Sequence, residues 1–272
     1  MKGLSLKEIQ EYSLKVLLNV HEFCVAHEIP YTLAYGTLIG AVRHKGFIPW
    51  DDDIDIIMTR ENFNRFILEY QSDDRFKLVS PEDKNSFIAF ARVCDCKETV
   101  VACRTPWSAY TTGVWVDIFP MDSIDDDERS HKFRYERLHN KWAKLAIPRG
   151  AKSSFSKLWG MNGNLKILIK KIVSLNGRGV RKKVENYILD IQDESFASSS
   201  HCAQLACCDE WGFYEKKDFE QYTTLGFEGH QLSVIKEYDK VLRQLYGDYM
   251  QLPPVADQVP KQSHYIRFFR RD

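Results

Sequence analysis

The chain has 272 residues, 44% of them hydrophobic and 28% charged, the proportions of a globular protein with a substantial core and not of a disordered one. Its formal net charge is zero, and its length admits one large domain or two small ones. Lys2, Lys7, Glu8, Glu11 and Lys15 break up the first twenty residues, which excludes a signal-type apolar stretch there, and no run reaches the roughly 18 apolar residues that cross a bilayer; a cytoplasmic protein is expected.

Ser5 and Glu8 match a capping box, so a helix is predicted from Leu6. Ile9, Tyr12, Val16, Val20 and Phe23 recur along one face of it, and Pro30 stops it. Tyr31–Tyr35 reads as a strand ending at Gly36, residues 37–43 as a short helix, and 46–49 as a turn. From Asp53 to Met58 the pattern alternates, with Asp53 and Asp55 on one face and Ile54 and Ile56 on the other. That suits a strand buried on one side whose carboxylates face a cleft. Thr59 is placed to cap the next helix, whose Phe63, Phe66, Ile67 and Tyr70 pack inward. Strands are predicted at 76–79, 87–93, 99–103 and 115–119. The last carries Asp117 between Val116 and Ile118 and ends at Pro120. After Asp125 the chain reads as mainly helical, with helical spacing near 127–146, 165–175, 179–192 and 234–247.

Seven cysteines at irregular spacings argue against a disulfide framework. His201, Cys202, Cys207 and Cys208 lack the C-x-x-C spacing of a zinc site and read as reduced thiols.

The densest chemistry lies at Asp51, Asp52, Asp53 and Asp55, flanked by Trp50 and by Ile54 and Ile56-Ile57-Met58. Apolar flanks draw these carboxylates toward the core, where unpaired charges are costly. A calcium loop of the EF-hand type is excluded because its sixth and twelfth positions, Gly and Glu, are here Ile56 and Asn62. Mg²⁺ or Mn²⁺ on Asp53 and Asp55 is consistent, with Asp117 the natural third ligand from a neighbouring strand. The Gly36-Thr37 turn and the basic residues Arg43 and Lys45 offer places for phosphate, and Arg92 is a weaker third cation. Trp50, Trp107, Tyr110 and Trp115 are nearby aromatics, each read first as core.

The run Tyr35-Gly-Thr-Leu-Ile-Gly-Ala-Val-Arg-His-Lys-Gly-Phe-Ile-Pro-Trp-Asp-Asp-Asp-Ile-Asp55 resembles the signature of the LicD family of phosphocholine transferases, to which fukutin and the fukutin-related protein belong. The resemblance continues in Trp115-Val-Asp-Ile-Phe-Pro-Met-Asp122, Phe227-Glu-Gly229 and Leu245-Tyr-Gly-Asp-Tyr-Met-Gln-Leu-Pro-Pro254; residues 141–226 carry no matching motif. One departure is Tyr35, where many relatives carry Gly. The resemblance implies a nucleotidyltransferase-like α+β fold: a mixed sheet with flanking helices as the catalytic core over 1–125, and a largely helical extension over 126–272 into which the motif 227–254 returns. It implies that Gly36 and Thr37 hold nucleotide phosphate and that Asp53, Asp55 and Asp117 bind metal. One of these, or Asp51 or Asp52, would accept the proton of the acceptor hydroxyl. The implied reaction is transfer of phosphocholine from CDP-choline to a sugar hydroxyl of a lipid-linked glycan precursor, of teichoic acid or lipopolysaccharide type, with release of CMP. Another CDP-activated cargo (ribitol phosphate or phosphoethanolamine) and a non-catalytic membrane-surface protein are the alternatives.

Between Lys141 and Lys183 stand twelve Lys or Arg and no acid, with a basic amphipathic helix at 165–175. This patch is read as a contact for an anionic membrane surface on the inner face. Nucleic acid is ranked low because few aromatics are interleaved with the charge.

Overall fold

A computed structural model describes residues 2–83, 86, 88–103, 112–150, 177–207, 211–260 and 266–271. Helix α1 (Leu6–Ala26) begins at the predicted capping box: Ser5 N–H donates to Glu8 at 2.8 Å and Glu8 N–H to Ser5 Oγ at 3.3 Å. It ends at Ala26, before Pro30, with His27 N–H on the Phe23 carbonyl. There follow β1 (Thr32–Leu33), α2 (Tyr35–Ile39, continued as a π turn over Gly40–His44), β2 (Asp55–Thr59) and α3 (Arg60–Glu69), capped by Thr59 as expected. Strands β3 (Phe76–Val79), β4 (Ala91–Asp95), β5 (Thr99–Cys103) and β6 (Val114–Ile124) complete the first half.

The main sheet has seven strands in the order β1-β2-β6-β4-β3, with two more joined through β6. Its axis is β6, eleven residues long and almost wholly buried. Strand β2 runs parallel to it, Asp55 beside Asp117, and β4 antiparallel, Arg92 beside Asp117. Helices α1 and α3 cover one face. There Val16, Leu17, Val20, Phe63 and Phe66 pack on Ile54, Ile56 and Met58. The carboxylate-bearing face of β2 is the opposite one.

Strand β6 does not stop at Pro120. The Asp117 N–H donates to Ile54 on the β2 side at 2.9 Å, so by alternation the Pro120 nitrogen faces the other edge. On that edge β4 pairs with Val114–Ile118, and β7 (His201–Gln204) pairs only from Met121 onward. The proline falls where no ladder bond is required, which is why the strand tolerates it.

The second half holds helices α4 (Glu128–Gly150), α5 (Gly177–Ile191) and α6 (Tyr238–Tyr246), near three of the four predicted segments; residues 165–175 lie outside the described residues. It also holds strands that the helical reading did not anticipate. These are β7, β8 (Tyr214–Glu215), the hairpin β9 (Tyr222–Phe227) and β10 (His230–Ile235), and β11 (Ile266–Arg270). Strand β7 extends the main sheet, and β11 pairs with β5. The fold is α+β, with the strands carried into both halves.

The β9–β10 turn explains why Phe227-Glu-Gly229 recurs with the first motif. Glu228 gives its N–H to the Lys45 carbonyl at 2.9 Å and accepts the Phe47 N–H at 3.0 Å, while Phe227 meets the Phe47 ring edge-on at 5.0 Å. The hairpin thereby clamps the loop between α2 and β2. Inside that loop the backbones nearly touch: a Cβ on Gly40 would stand 2.4 Å from the Gly46 carbonyl oxygen. Gly40→Ala is therefore expected to cost about 2 kcal/mol, a drop of roughly 4–8 °C in Tm. Glu228→Ala, which removes one exposed acceptor, costs about 1 kcal/mol. Thermal unfolding of the two variants checks this ordering, and a Gly40→Ala protein as stable as the wild type would refute the close approach.

Candidate active site

Asp55 opens β2 and is positioned from two sides. Its N–H donates to Thr37 Oγ1 at 2.9 Å, and its carbonyl accepts the Ala34 N–H at 3.0 Å. The Thr37 hydroxyl thus fixes the start of β2 and does not line the cleft. Gly36 does line it, and a Cβ there would lie 2.5 Å from Asp51 Oδ2; glycine lets the Asp51 carboxylate rest against α2.

Asp117 sits across the parallel register from Asp55. It is 3% exposed, and both its oxygens are engaged. Arg92 donates Nε to Oδ1 and, at 3.3 Å, Nη2 to Oδ2, and the Trp115 indole N–H donates to Oδ2 at 3.0 Å. The Arg92 guanidinium lies between the rings of Phe90 (5.2 Å) and Trp115 (4.3 Å). Arg92 is hence the counter-charge to Asp117 at the cleft wall, not a detached phosphate ligand, and Trp115 serves Asp117.

A cleft of about 910 Å³ brings together Asp51, Asp53, Asp55 and Asp117 with Arg43 and Arg92. The tightest carboxylate set among the described residues is Asp51, Asp52 and Asp53, whose oxygens lie within 4.8 Å of one another. The three acids expected as metal ligands, Asp53, Asp55 and Asp117, all line the cleft beside it. Asp52 belongs to the tightest set; it is buried and does not itself line the cleft. Arg43 lines the cleft, and its Nη1 donates to the carbonyls of Tyr249 (2.6 Å) and Gln251 (3.3 Å) in the segment after α6. Lys45 does not reach the cleft. It is exposed at a left-handed φ of 59°, its ammonium on the Val42 carbonyl.

The electrostatics follow from this crowding. Burial, then the Asp51 charge, push the Asp53 carboxyl up to about 8. Burial, then Asp53 and Asp117, hold Asp55 well above the usual carboxylate range, against the opposing pull of Arg92. Asp53 and Asp55 could hold a divalent cation, whose charge would offset the repulsion that raises both carboxyls.

Two walls of the cleft were not singled out from the sequence. One is formed by Tyr35, Phe90, Phe119, Trp142 and Gln204. The other is formed by Tyr246, at the end of α6, and by Asp248, Tyr249 and Asp257 in the strap that follows it, of which Tyr249 is buried. Tyr246 and Tyr249 fall within the motif 245–254 and were legible as such; Trp142 and Gln204 lie in the stretch that carried no motif. Trp107 and Tyr110 lie outside the described residues.

Comparison with known proteins places this arrangement. The sequence pattern of the LicD/FKTN/FKRP nucleotidyltransferase domain matches residues 28–160. The lipopolysaccharide cholinephosphotransferase LicD of Haemophilus influenzae is 30% identical over 275 residues, covering 98% of each chain. The chain belongs to the LicD family. Shorter similarities, 41% identical over 63 and 61 residues, link it to uncharacterized proteins of Rickettsia typhi and Rickettsia prowazekii, covering 23% and 22% of this chain and 20% of each of those. The LicD-domain match spans β1 through β6 and so contains Asp51, Asp52, Asp53, Asp55 and Asp117. Within it, Asp122 of the second motif is a packing residue: Arg60 holds it with Nε at 2.7 Å and Nη2 at 3.0 Å. No helix among the described residues is long and apolar enough to cross a membrane.

The raised Asp53 carboxyl predicts a pH dependence of stability. Between the ordinary value of 3.8 and about 8 the folded chain holds a proton that the unfolded chain releases, so this group's contribution to stability is full at low pH and lost as pH rises. In EDTA, Asp53→Asn is expected to raise Tm at pH 9 by several degrees, 1 kcal/mol being about 2–4 °C for a chain approaching this size, and to raise it less at pH 5, where only part of this group's contribution has been lost. Melting curves at the two pH values check this, and a variant no more stable than wild type at pH 9 would contradict it.

Proposed function

We propose that this LicD-family protein transfers phosphocholine from CDP-choline to a sugar hydroxyl of a lipid-linked cell-surface glycan precursor and releases CMP. The observation that carries the reading is a single cleft, of a size that suits a nucleotide-linked donor, onto which acids, an arginine-held carboxylate and two aromatic walls all open. Similarity over the whole chain to a lipopolysaccharide cholinephosphotransferase supports the cargo.

Asp53 and Asp55, with Asp51 and Asp117 beside them, would hold Mg²⁺ or Mn²⁺. Such an ion, when bound, supplies charge neutralisation to the donor diphosphate and its CMP leaving group. The chain's own contribution is positioning. Thr37 and the Ile54 carbonyl fix Asp55 and Asp117 in register, and Arg92 offsets part of the charge that Asp117 adds beside Asp53 and Asp55. A cleft-facing carboxylate not committed to the cation takes the acceptor's proton as its oxygen attacks phosphorus and the bond to CMP breaks. On the strap side the cleft is lined by the aromatic residues Trp50 and Tyr246 and by the negative charges of Asp248 and Asp257. That is the surface a quaternary ammonium prefers. A lipid-linked acceptor brings the protein to a membrane surface, to which the exposed Lys182 and Lys183 contribute charge. Lys141 and Arg181 are already paired, with Asp190 and Glu185. The remaining cations of 141–183 have no described side chains.

Incubation with Mg²⁺ and a panel of CDP-alcohols, with CMP release as the readout, tests the reading. Release from CDP-choline is expected, abolished by EDTA and reduced at least roughly 100-fold in Asp53→Asn and Asp117→Asn. Release confined to CDP-ribitol or CDP-ethanolamine would move the cargo assignment, and none from any donor would refute the transferase.

A further inference from the structure

The outer edge of β6 changes partner midway. Strand β4 pairs through Ile118 and β7 from Met121, leaving a gap beside Phe119. Phe90, just before β4, and Gln204, at the end of β7, flank that gap. The Phe90 and Phe119 rings lie 4.7 Å apart, and Tyr35 meets Phe119 edge-on at 6.0 Å. Trp142, Phe90, Phe119 and Gln204 are all buried yet open onto the same cleft. This lobe carries no acid. Its one uncharged hydrogen-bonding amide is Gln204, 7% exposed.

Gln204 Nε2 donates to Cys207 Sγ at 3.0 Å, and its Oε1 accepts no hydrogen bond from the described residues. Side chains this buried ordinarily have their polar atoms paired. An acceptor left facing a cleft between aromatic rings calls for a ligand that is flat, uncharged and a hydrogen-bond donor at its edge. The opposite lobe, with Asp248 and Asp257, favours a cation. The two ends of a cytidine diphosphate ester differ in this way.

We propose that the aromatic lobe holds the donor's cytosine, stacked against Phe119 and Tyr35, with Gln204 Oε1 accepting from the exocyclic amine. The assignment rests on the CDP-linked donor proposed above. The bond to Cys207 orients the amide, so uracil, which carries a carbonyl oxygen in place of the amine, would set two acceptors against each other. Gln204 is then the residue that separates cytidine from uridine nucleotides.

Calorimetric titration with CMP and with UMP in Mg²⁺ tests this on wild type, Gln204→Leu and Gln204→Glu. Wild type is expected to prefer CMP by about 10-fold or more. Gln204→Leu loses that preference by weakening CMP and sparing UMP. Gln204→Glu keeps the preference, because a carboxylate oxygen still accepts from the amine. If the leucine variant shows no thermal transition, the glutamate variant decides. Wild-type binding without preference, an unchanged CMP-to-UMP ratio in Gln204→Leu, or equal binding of the two by Gln204→Glu would overturn the assignment. Running CDP-choline turnover alongside separates the two readings. Turnover with selectivity unmoved by the substitutions sinks the lobe assignment alone; a wild type that turns over no CDP-alcohol sinks the donor reading and this one with it.

Discussion

Mutual repulsion among Asp51, Asp53, Asp55 and Asp117 is the constraint around which the rest of the chain is organised. Two of the four are pushed upward in their protonation by burial and by one another, so in the absence of a cation they work against folding at neutral pH. What holds them is the sheet beneath. Ile54, Ile56, Ile118 and Val116 are all wholly buried under α1 and α3. Burying side chains of that kind contributes roughly 1.5–3 kcal/mol each, enough collectively to offset a local electrostatic penalty. The parallel pairing of β2 with β6 turns that packing into registration of Asp55 against Asp117.

The same logic explains how distant segments belong to one site. Arg43 has the chemistry of a phosphate ligand, and one of its terminal nitrogens, Nη1, also bonds to the carbonyls of Tyr249 and Gln251. It ties the α2 end of the cleft to the strap that forms the far wall. Glu228 does the corresponding work for the loop leading into the acids. The motif residues of the C-terminal third are thus joined to the first motif through backbone hydrogen bonds, and cleft shape depends on both.

Much of the site was legible because it obeys simple periods. Alternation at 53–58 separated the acids from Ile54 and Ile56, and an isolated Asp117 between apolar neighbours marked a residue with a partner. The strands at 76–79 and 99–103 and the capped starts of α1 and α3 fell where local chemistry put them. Other features depended on tertiary placement. Pro120 reads as a stop until the gap between β4 and β7 is known. Strands β7 to β10 are short, and β9 exposes residues without alternation, so their sheet pairing leaves no local trace. Arg92 and Asp117 were each singled out, yet that they neutralise one another follows from strand register, which the sequence does not display. Gln204 is a lone amide in a stretch without motifs, and only its burial beside the cleft gives it meaning.

Tyr35 shows how local strain and cleft shape are linked. Its φ of 47° lies in the left-handed region, where a non-glycine residue costs about 1–2 kcal/mol. Relief would come from any change to glycine, so the tyrosine must return something the backbone does not. Its ring does so by meeting Phe119 and lining the cleft beside Gly36. The ring narrows the aromatic lobe next to the acids, while Gly36, its neighbour, keeps the backbone open for Asp51. One residue shapes the wall and the next leaves room for charge. That division lets a chain with Tyr35 keep the acid geometry intact while reshaping the lobe beside it.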